Sequence, residues 1–405
     1  METFIHFLKK IIIKTLLCVF KIFKVKKNRI FIHNNLGYNF SCNPKYIANY
    51  LLKKYENQFE IIFSVKDVSK YENFSQKILF VKFNSLKYFY YAITSRIFIT
   101  NSGGFSYLPL NRKKQVVINT WHGGGAYKKL GMDMYNNSKL YMADLRLAAR
   151  STTVFLSSCK EFTKVASRSM LLPNEIFWEI GMPRNDILFE NNIEYKESIR
   201  KKLGLCETEK LVLYAPTYRK INDDYFKDSI AIDYDIDVNG VCKALKRKFG
   251  GEWKFGYRLH PCVINKDCIN GENIINLSNY EEMQDLLLVA DVMINDFSSS
   301  IWDFMLTGKP IFMYAKDMDH YIKTTEVYTP VEKWPFLKAI ENSTLIKNIL
   351  DFNEEDYSLN VKRHLDELGC TETGRATEKV CKYIEKIVKS NKIIDFKEID
   401  KYGKY

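Results

Sequence analysis

Short apolar runs rich in β-branched and aromatic residues alternate with helix-length segments along most of this 405-residue chain, and that alternation limits the fold more than any other feature. The strand-like runs of the first series are Arg29–His33, Phe59–Val65, Ile78–Val81, Arg96–Thr100, Gln115–Ile118, Thr152–Leu156 and Ile176–Ile180. Asn43-Pro44 reads as a helix start, and Ser85 to Ser95 as a helix between two strands. After Gly181-Met182-Pro183-Arg184-Asn185-Asp186 the alternation restarts with Leu211–Ala215, Trp253–Leu259, Asn273–Leu277, Asp291–Ile294 and Pro310–Tyr314. Helices are expected from Val238, over Tyr280–Ala290 and over Ser298–Thr307, with mostly helical chain from Glu354. Strands separated by helices imply βαβ units and parallel sheets, whose ligands sit outside the carboxyl ends of the strands. The length suits two such domains, taking roughly 150 residues each.

Charge is concentrated at one end. The chain carries +13, and residues 1–30 supply +7 of it through seven lysines and Arg29 against Glu2. A body with little excess charge argues against nucleic-acid binding. Residues 4–23 are apolar but broken by Lys9, Lys10, Lys14 and Lys21, too often for a spanning helix or a signal peptide. Lysines among bulky apolar residues suit an amphipathic helix lying at an anionic membrane surface. The nine cysteines form no C-x-x-C pair, which fits a reduced compartment and gives no zinc motif.

Two stretches have the composition of a site. In Trp121-His122-Gly123-Gly124-Gly125 a strand runs into one titratable ring beside bare backbone, where N–H groups favour anions. In Asn295-Asp296-Phe297-Ser298-Ser299-Ser300 a strand runs into hydroxyls at a helix start, where unpaired N–H groups stabilise phosphate. His260 ends a strand two residues after Arg258, and strand alternation puts both on one side. Other motifs fail. The His-Gly-Gly-Gly run lacks the G-x-S-x-G elbow of esterases, and no Walker loop or G-x-G-x-x-G occurs. The acidic stretch Asn222–Asp237 reads as a solvated loop.

Taken together, six motifs in chain order resemble the CDP-glycerol glycerophosphotransferase family, the teichoic-acid primases and polymerases. They are Trp121-His122-Gly123 with Lys128, Lys129 and Gly131; Gly181 to Asp186; Tyr214-Ala215-Pro216-Thr217-Tyr218-Arg219; Arg258-Leu259-His260-Pro261; Asn295 to Ser299 with Asp303; and Gly374-Arg375-Ala376. The resemblance covers about residues 115–380 and implies a GT-B fold, two Rossmann-like domains facing a central cleft. The expected division is a membrane-associating segment at 1–28, an acceptor-side domain at 29–183, a CDP-donor domain at 184–372 and a helical segment at 373–405. The implied reaction moves glycerol phosphate or ribitol phosphate from a CDP-linked donor to a hydroxyl of a lipid-linked polymer, releasing CMP without a metal or other cofactor. Carried over by motif, His122 is the general base and His260 stabilises the donor phosphates. Arg258, Asp296, Ser298, Ser299, Ser300, Asp303, Gly123, Thr217 and Arg219 are expected to bind substrate. The implied location is the cytoplasmic face of the membrane, as a peripheral protein. A threonine usually follows His-Gly in the family, and here Gly124 and Gly125 stand instead, which opens the acceptor side. A nucleotide-sugar-dependent GT-B glycosyltransferase and a non-catalytic membrane-docked assembly subunit remain as alternatives.

Overall fold

The computed structural model describes residues 2–400 except 35–36, 75–76, 104, 111–112, 135–138, 218–234, 261–262, 264–270, 272, 325–326 and 391; the side chains of 2–7, 9, 140, 324 and 400 are also outside the description. The chain forms two compact units, Met1–Asp186 with Gly369–Tyr405, and Ile187–Leu368.

Unit 1 is built on seven parallel strands: β1 (Lys26–His33), β2 (Glu60–Val65), β3 (Ile78–Lys82), β4 (Ser95–Thr100), β5 (Val116–Asn119), β6 (Val154–Ser157) and β7 (Phe177–Glu179). Their order across the sheet is β3-β2-β1-β4-β5-β6-β7. Both faces are covered, which is why the strands read as continuous apolar runs rather than alternating ones. Ile30 and Ile32 of β1 belong to one core with the helices Cys42–Lys54 and Ala376–Ser390. Phe31, between them, faces the other core beneath Leu17, Tyr88 and Phe105.

Unit 2 repeats the plan with β8 (Glu209–Tyr214), β9 (Glu252–Tyr257), β10 (Ile274–Asn276), β11 (Val292–Asn295), β12 (Ile311–Tyr314) and β13 (Leu337–Ala339), all parallel. The order is β10-β9-β8-β11-β12-β13. In each sheet the first strand lies third from one edge, and the winding direction reverses beside it. These are the two Rossmann-like units expected from the alternation. The edge strand β13 was not anticipated, because Leu337-Lys338-Ala339 holds no β-branched or aromatic residue and buries only Ala339.

The tail expected as a separate segment from 373 is part of unit 1. Its helix Ala376–Ser390 buries Ala376, Val380, Cys381, Tyr383, Ile384 and Ile387 in the core of the first sheet. The segment Gly181–Asp186 is the clasp that receives it. Asp186 accepts hydrogen bonds from the backbone N–H groups of Ala376 (3.0 Å) and Thr377 (2.7 Å), capping the helix from outside its own sequence. Glu372 accepts from the Met182 N–H at 2.9 Å and the Asn185 amide at 3.1 Å. Gly181 has φ +86°, and a Cβ there would lie 2.4 Å from the Glu372 carboxylate, so only glycine fits.

At the chain's start, the helix Glu2–Leu17 turns Leu17 into the core and pairs Lys10 with Asp144. Leu8, Ile12, Leu16 and Val19 recur on the opposite face and are exposed. Among the described residues no helix is long and apolar enough to cross a membrane.

Two buried histidines carry a pH dependence. His33 ends β1 with no exposed surface, and its Nδ1 lies 3.0 Å from the Tyr88 hydroxyl. Desolvation pushes its pKa down to about 4, and His364 in unit 2 is pushed to about 4 for the same reason. Both stay neutral when folded and take up a proton near pH 6.5 when unfolded, so the unfolded state binds more protons between those values.

Two outcomes are expected. Asp186→Ala should lower the thermal midpoint by several degrees, equivalent to about 1–3 kcal/mol, because two buried helix N–H groups lose their acceptor. Stability in urea should be greatest above pH 6.5 and fall between pH 6.5 and 4, with His33 contributing about 2 kcal/mol of the loss by pH 5. His33→Gln should make that pH slope shallower whatever it does to stability at pH 8.

Candidate active site

Most of the described residues singled out from the sequence follow the carboxyl ends of strands, and each unit presents its own group. In unit 1, β5 ends at Asn119 and the chain turns sharply. The Asn119 side chain accepts from the Trp121 N–H at 2.9 Å, and Trp121 has φ +53°, a left-handed conformation that is costly for a bulky residue. His122 follows with its ring exposed on one side, 4.5 Å from the Trp121 ring by centroids.

The His122 Nδ1 lies 2.7 Å from the carbonyl oxygen of Asn101, at the end of β4. A carbonyl only accepts, so Nδ1 carries the hydrogen and Nε2 is the basic nitrogen of the neutral ring. Desolvation by the protein crowded around the ring lowers its pKa, the Asn101 carbonyl raises it, and the Arg184 guanidinium lowers it further. The imidazole therefore stays unprotonated to lower pH than a free one.

Backbone contacts hold this turn from behind. Asn43 is fully buried, and its amide donates to the carbonyls of Thr120 (3.1 Å) and Trp121 (3.0 Å). Its Oδ1 accepts from the Arg184 N–H at 3.0 Å, and the Arg184 guanidinium donates to the His122 carbonyl at 2.7 Å. Asn101 in turn donates to Asn34, at the end of β1, at 2.6 Å. Asn43, Asn101 and Arg184 had no site role in the sequence reading. A lone asparagine at a helix start looks like a cap, and nothing local shows that its amide faces a loop 77 residues away.

Gly123 borders the ring, while Gly124 and Gly125 are buried. The Gly125 N–H donates to Ser158 at 3.0 Å, and its φ of +69° favours glycine. That N–H is thus held by the fold. The glycine at 125 is explained by backbone geometry.

In unit 2, Asp296 follows β11 and accepts from both the N–H and the hydroxyl of Thr217, which follows β8, each at 2.8 Å. Asn295 receives the Asp296 N–H at 2.9 Å and donates to Ser300 at 3.1 Å, and the Ser298 and Ser300 hydroxyls lie 3.0 Å apart. The expected helix from Ser298 begins at Ser300 and runs only to Met305. The N–H groups of Ser298, Ser299 and Ser300 have no partner among the described residues. Ser299 is exposed, whereas Asp303 is buried and accepts from Gln284 at 2.9 Å.

β9 stops at Tyr257, so Arg258 and His260 lie beyond the strand and its pleat does not set their sides. His260 is exposed. Arg258 donates to the Tyr280 carbonyl at 3.0 Å, and burial lowers its pKa against the pull of Glu282. Arg219, Pro261 and most of the Asn222–Asp237 stretch lie outside the described residues.

Two parallel α/β units, one ending in a histidine turn and the other in a hydroxyl cluster, define a protein of the GT-B type. The family model described as CDP-glycerol:poly(glycerophosphate) glycerophosphotransferase matches residues 15–386, and the chain belongs to that family. A teichoic acid poly(glycerol phosphate) polymerase of Staphylococcus epidermidis is 29% identical over 90% of this chain and 51% of its own. The chain thus spans about half the length of that relative. A teichoic acid glycerol-phosphate transferase of Staphylococcus aureus is 26% identical over 94% of this chain and 99% of its own. Among solved structures, the wall teichoic acid polymerase TagF, as a histidine-to-asparagine variant soaked with CDPG, superposes with a TM-score of 0.81. It is 25% identical over 96% of this chain and 98% of that one.

Proposed function

We propose that this chain transfers a polyol phosphate from a CDP-linked donor to a hydroxyl of a membrane-linked polymer. The observation that carries the reading is the fixed tautomer of His122. Its Nδ1–H is committed to the Asn101 carbonyl, which leaves Nε2 to take a proton. A sugar or polyol hydroxyl is a weak nucleophile, and a base that stays neutral near pH 7 raises its reactivity as the new bond forms. The acceptor oxygen bonds to the donor's polyol-bearing phosphorus, the bond from that phosphorus to the bridging oxygen breaks, and CMP leaves with the electron pair. His122 takes the acceptor's proton.

Charge builds on the phosphoryl oxygens and on the departing CMP. In this reading the N–H groups and hydroxyls at Ser298–Ser300 hold the two phosphates, and His260 stabilises or protonates the leaving group. Asp296 and Asp303 act as braces, because their carboxylates are bonded within unit 2 to Thr217 and Gln284. Arg258 braces the loop at Tyr280 in the same sense. Both glycerol phosphate and ribitol phosphate fit this chemistry, which does not read the polyol.

The reading extends to location. The outward stripe Leu8, Ile12, Leu16 and Val19, with the lysines around it, suits a peripheral seat on an anionic membrane at its cytoplasmic face. The inward stripe holds Leu17 in the core, and β1 starts at Lys26, so truncating the N-terminal segment to residue 28 would damage the fold itself. Point changes on the outer face test the seat better.

Purified protein given CDP-glycerol or CDP-ribitol with a lipid-linked acceptor should release CMP, and His122→Ala or His260→Ala should cut turnover by ~10²-fold or more. The acid limb of the rate profile should fall below pH 6.5, following the lowered pKa of His122. Glycosidic product from a nucleotide sugar with no CMP from either polyol donor would replace this reading with a glycosyltransferase. No product from any donor, with both alanine variants complementing normally in cells, would leave a scaffold, whereas full CMP release by both variants would remove the two histidines from the chemistry. Separately, Ile12→Asp with Leu16→Asp should abolish sedimentation with phosphatidylglycerol vesicles while leaving CMP release to a soluble acceptor intact; unchanged sedimentation would remove the membrane seat.

A further inference from the structure

Two residues outside glycine hold left-handed backbone close to His122, and one pair of side chains reaches both. Trp121 has φ +53° and Cys42 has φ +61°. A non-glycine residue held this way costs on the order of 1–3 kcal/mol and persists only where its surroundings fix it. Asn43 follows Cys42 and donates to the two carbonyls on either side of the Trp121 nitrogen–carbonyl unit, those of Thr120 and Trp121. Arg184 donates to the His122 carbonyl at 2.7 Å and reaches the Cys42 sulfur at 3.4 Å. Asn43 and Arg184 are joined by the 3.0 Å bond from the Arg184 N–H to the Asn43 Oδ1.

We infer that Asn43 is a positioning residue for His122, acting with Arg184 as a clamp on the strained turn. The inference rests on the transferase reading for its kinetic consequence. Three consecutive carbonyls, those of Thr120, Trp121 and His122, point into the clamp and are bonded there. Asn43 is the residue type this requires. Its amide supplies two donors and its carbonyl one acceptor, all in one plane and with no exposed surface. Aspartate has the same shape but faces two carbonyls with a carboxylate oxygen, which repels them. The clamp sets where the His122 backbone leaves the turn, and so whether Nδ1 meets the Asn101 carbonyl. When that meeting fails, either nitrogen can carry the hydrogen and the base loses its fixed direction.

Asn43→Asp and Asn43→Ala, measured beside wild type and His122→Ala, test this. Nitrogen-15 NMR of the histidine rings at pH 8, with the His122 signal assigned by its loss in His122→Ala, should show the Nδ1–H tautomer in wild type. In both Asn43 variants it should show a mixture of tautomers. kcat for CMP release should fall about 10- to 100-fold while KM for CDP-glycerol stays within about twofold, since a misplaced base slows chemistry without weakening donor binding. An unchanged His122 tautomer in both variants overturns the clamp, including where activity falls only with a loss of folded protein in the thermal melt. Wild type that releases no CMP overturns the transferase reading instead, and the tautomer measurement still decides the clamp.

Discussion

A parallel sheet that winds in two directions from its first strand must leave a gap at the carboxyl end, where the flanking connections go to opposite faces. Both units of this chain have that reversal, between β1 and β4 and between β8 and β11. The backbone groups at such a point have no neighbouring connection to bond with, so side chains must bridge them or a ligand must. The chain bridges them with short polar residues. Asn34 and Asn101 join the ends of β1 and β4, and Asp296 joins the end of β11 to Thr217 after β8. The candidate site residues of each unit adjoin its bridge: His122 bonds the Asn101 carbonyl, and Ser298 to Ser300 follow Asp296 within four residues.

The two bridges prepare different surfaces. In unit 1 the asparagines are neutral and buried, and desolvation by the surrounding protein lowers the pKa of the imidazole. An ionised side chain in their place would change the ring's charge state as well as its position. In unit 2 the bridge is a carboxylate whose Oδ1 accepts from both donors of Thr217 and from the Phe297 N–H, which holds it in place within the unit.

The fold was legible because burial on both faces makes each strand an unbroken apolar run, as in Phe59–Val65 and Leu211–Ala215, and helices separate those runs. The positions of His122 and the serines just after strand ends were legible for the same reason, whereas His260 lies three residues past the end of β9. What escaped was long-range. Gly181 to Asp186 reads as punctuation, yet its glycine, asparagine and aspartate are there to receive Glu372 and the helix from Ala376. Two of the family's six motifs are thus the two halves of one structural clasp, and a motif's recurrence does not tell catalysis from folding. Asn43 was hidden likewise, since a residue whose partners are 77 and 141 positions away leaves no local pattern. Arg258 was misjudged by extending strand alternation past Tyr257, where β9 ends.

The glycines after His122 show how the same stretch can be read by ligand or by fold. Bare backbone beside a histidine suggests an anion cradle, but the Gly125 N–H is spent on Ser158 and its φ of +69° favours glycine. Ser158 in turn accepts, through its carbonyl, the N–H of Thr371 on the returning C-terminal segment. The loop that carries His122 is therefore tied from one side to the clasp segment at Arg184 and from the other to the returning chain at Thr371. A residue with strained backbone, such as Trp121, needs fixing on both sides, because a single tether leaves it free to relax by rotating about the other end. Unit 1 is completed only when the chain comes back at Gly369, so the histidine turn is held by residues from both ends of the sequence.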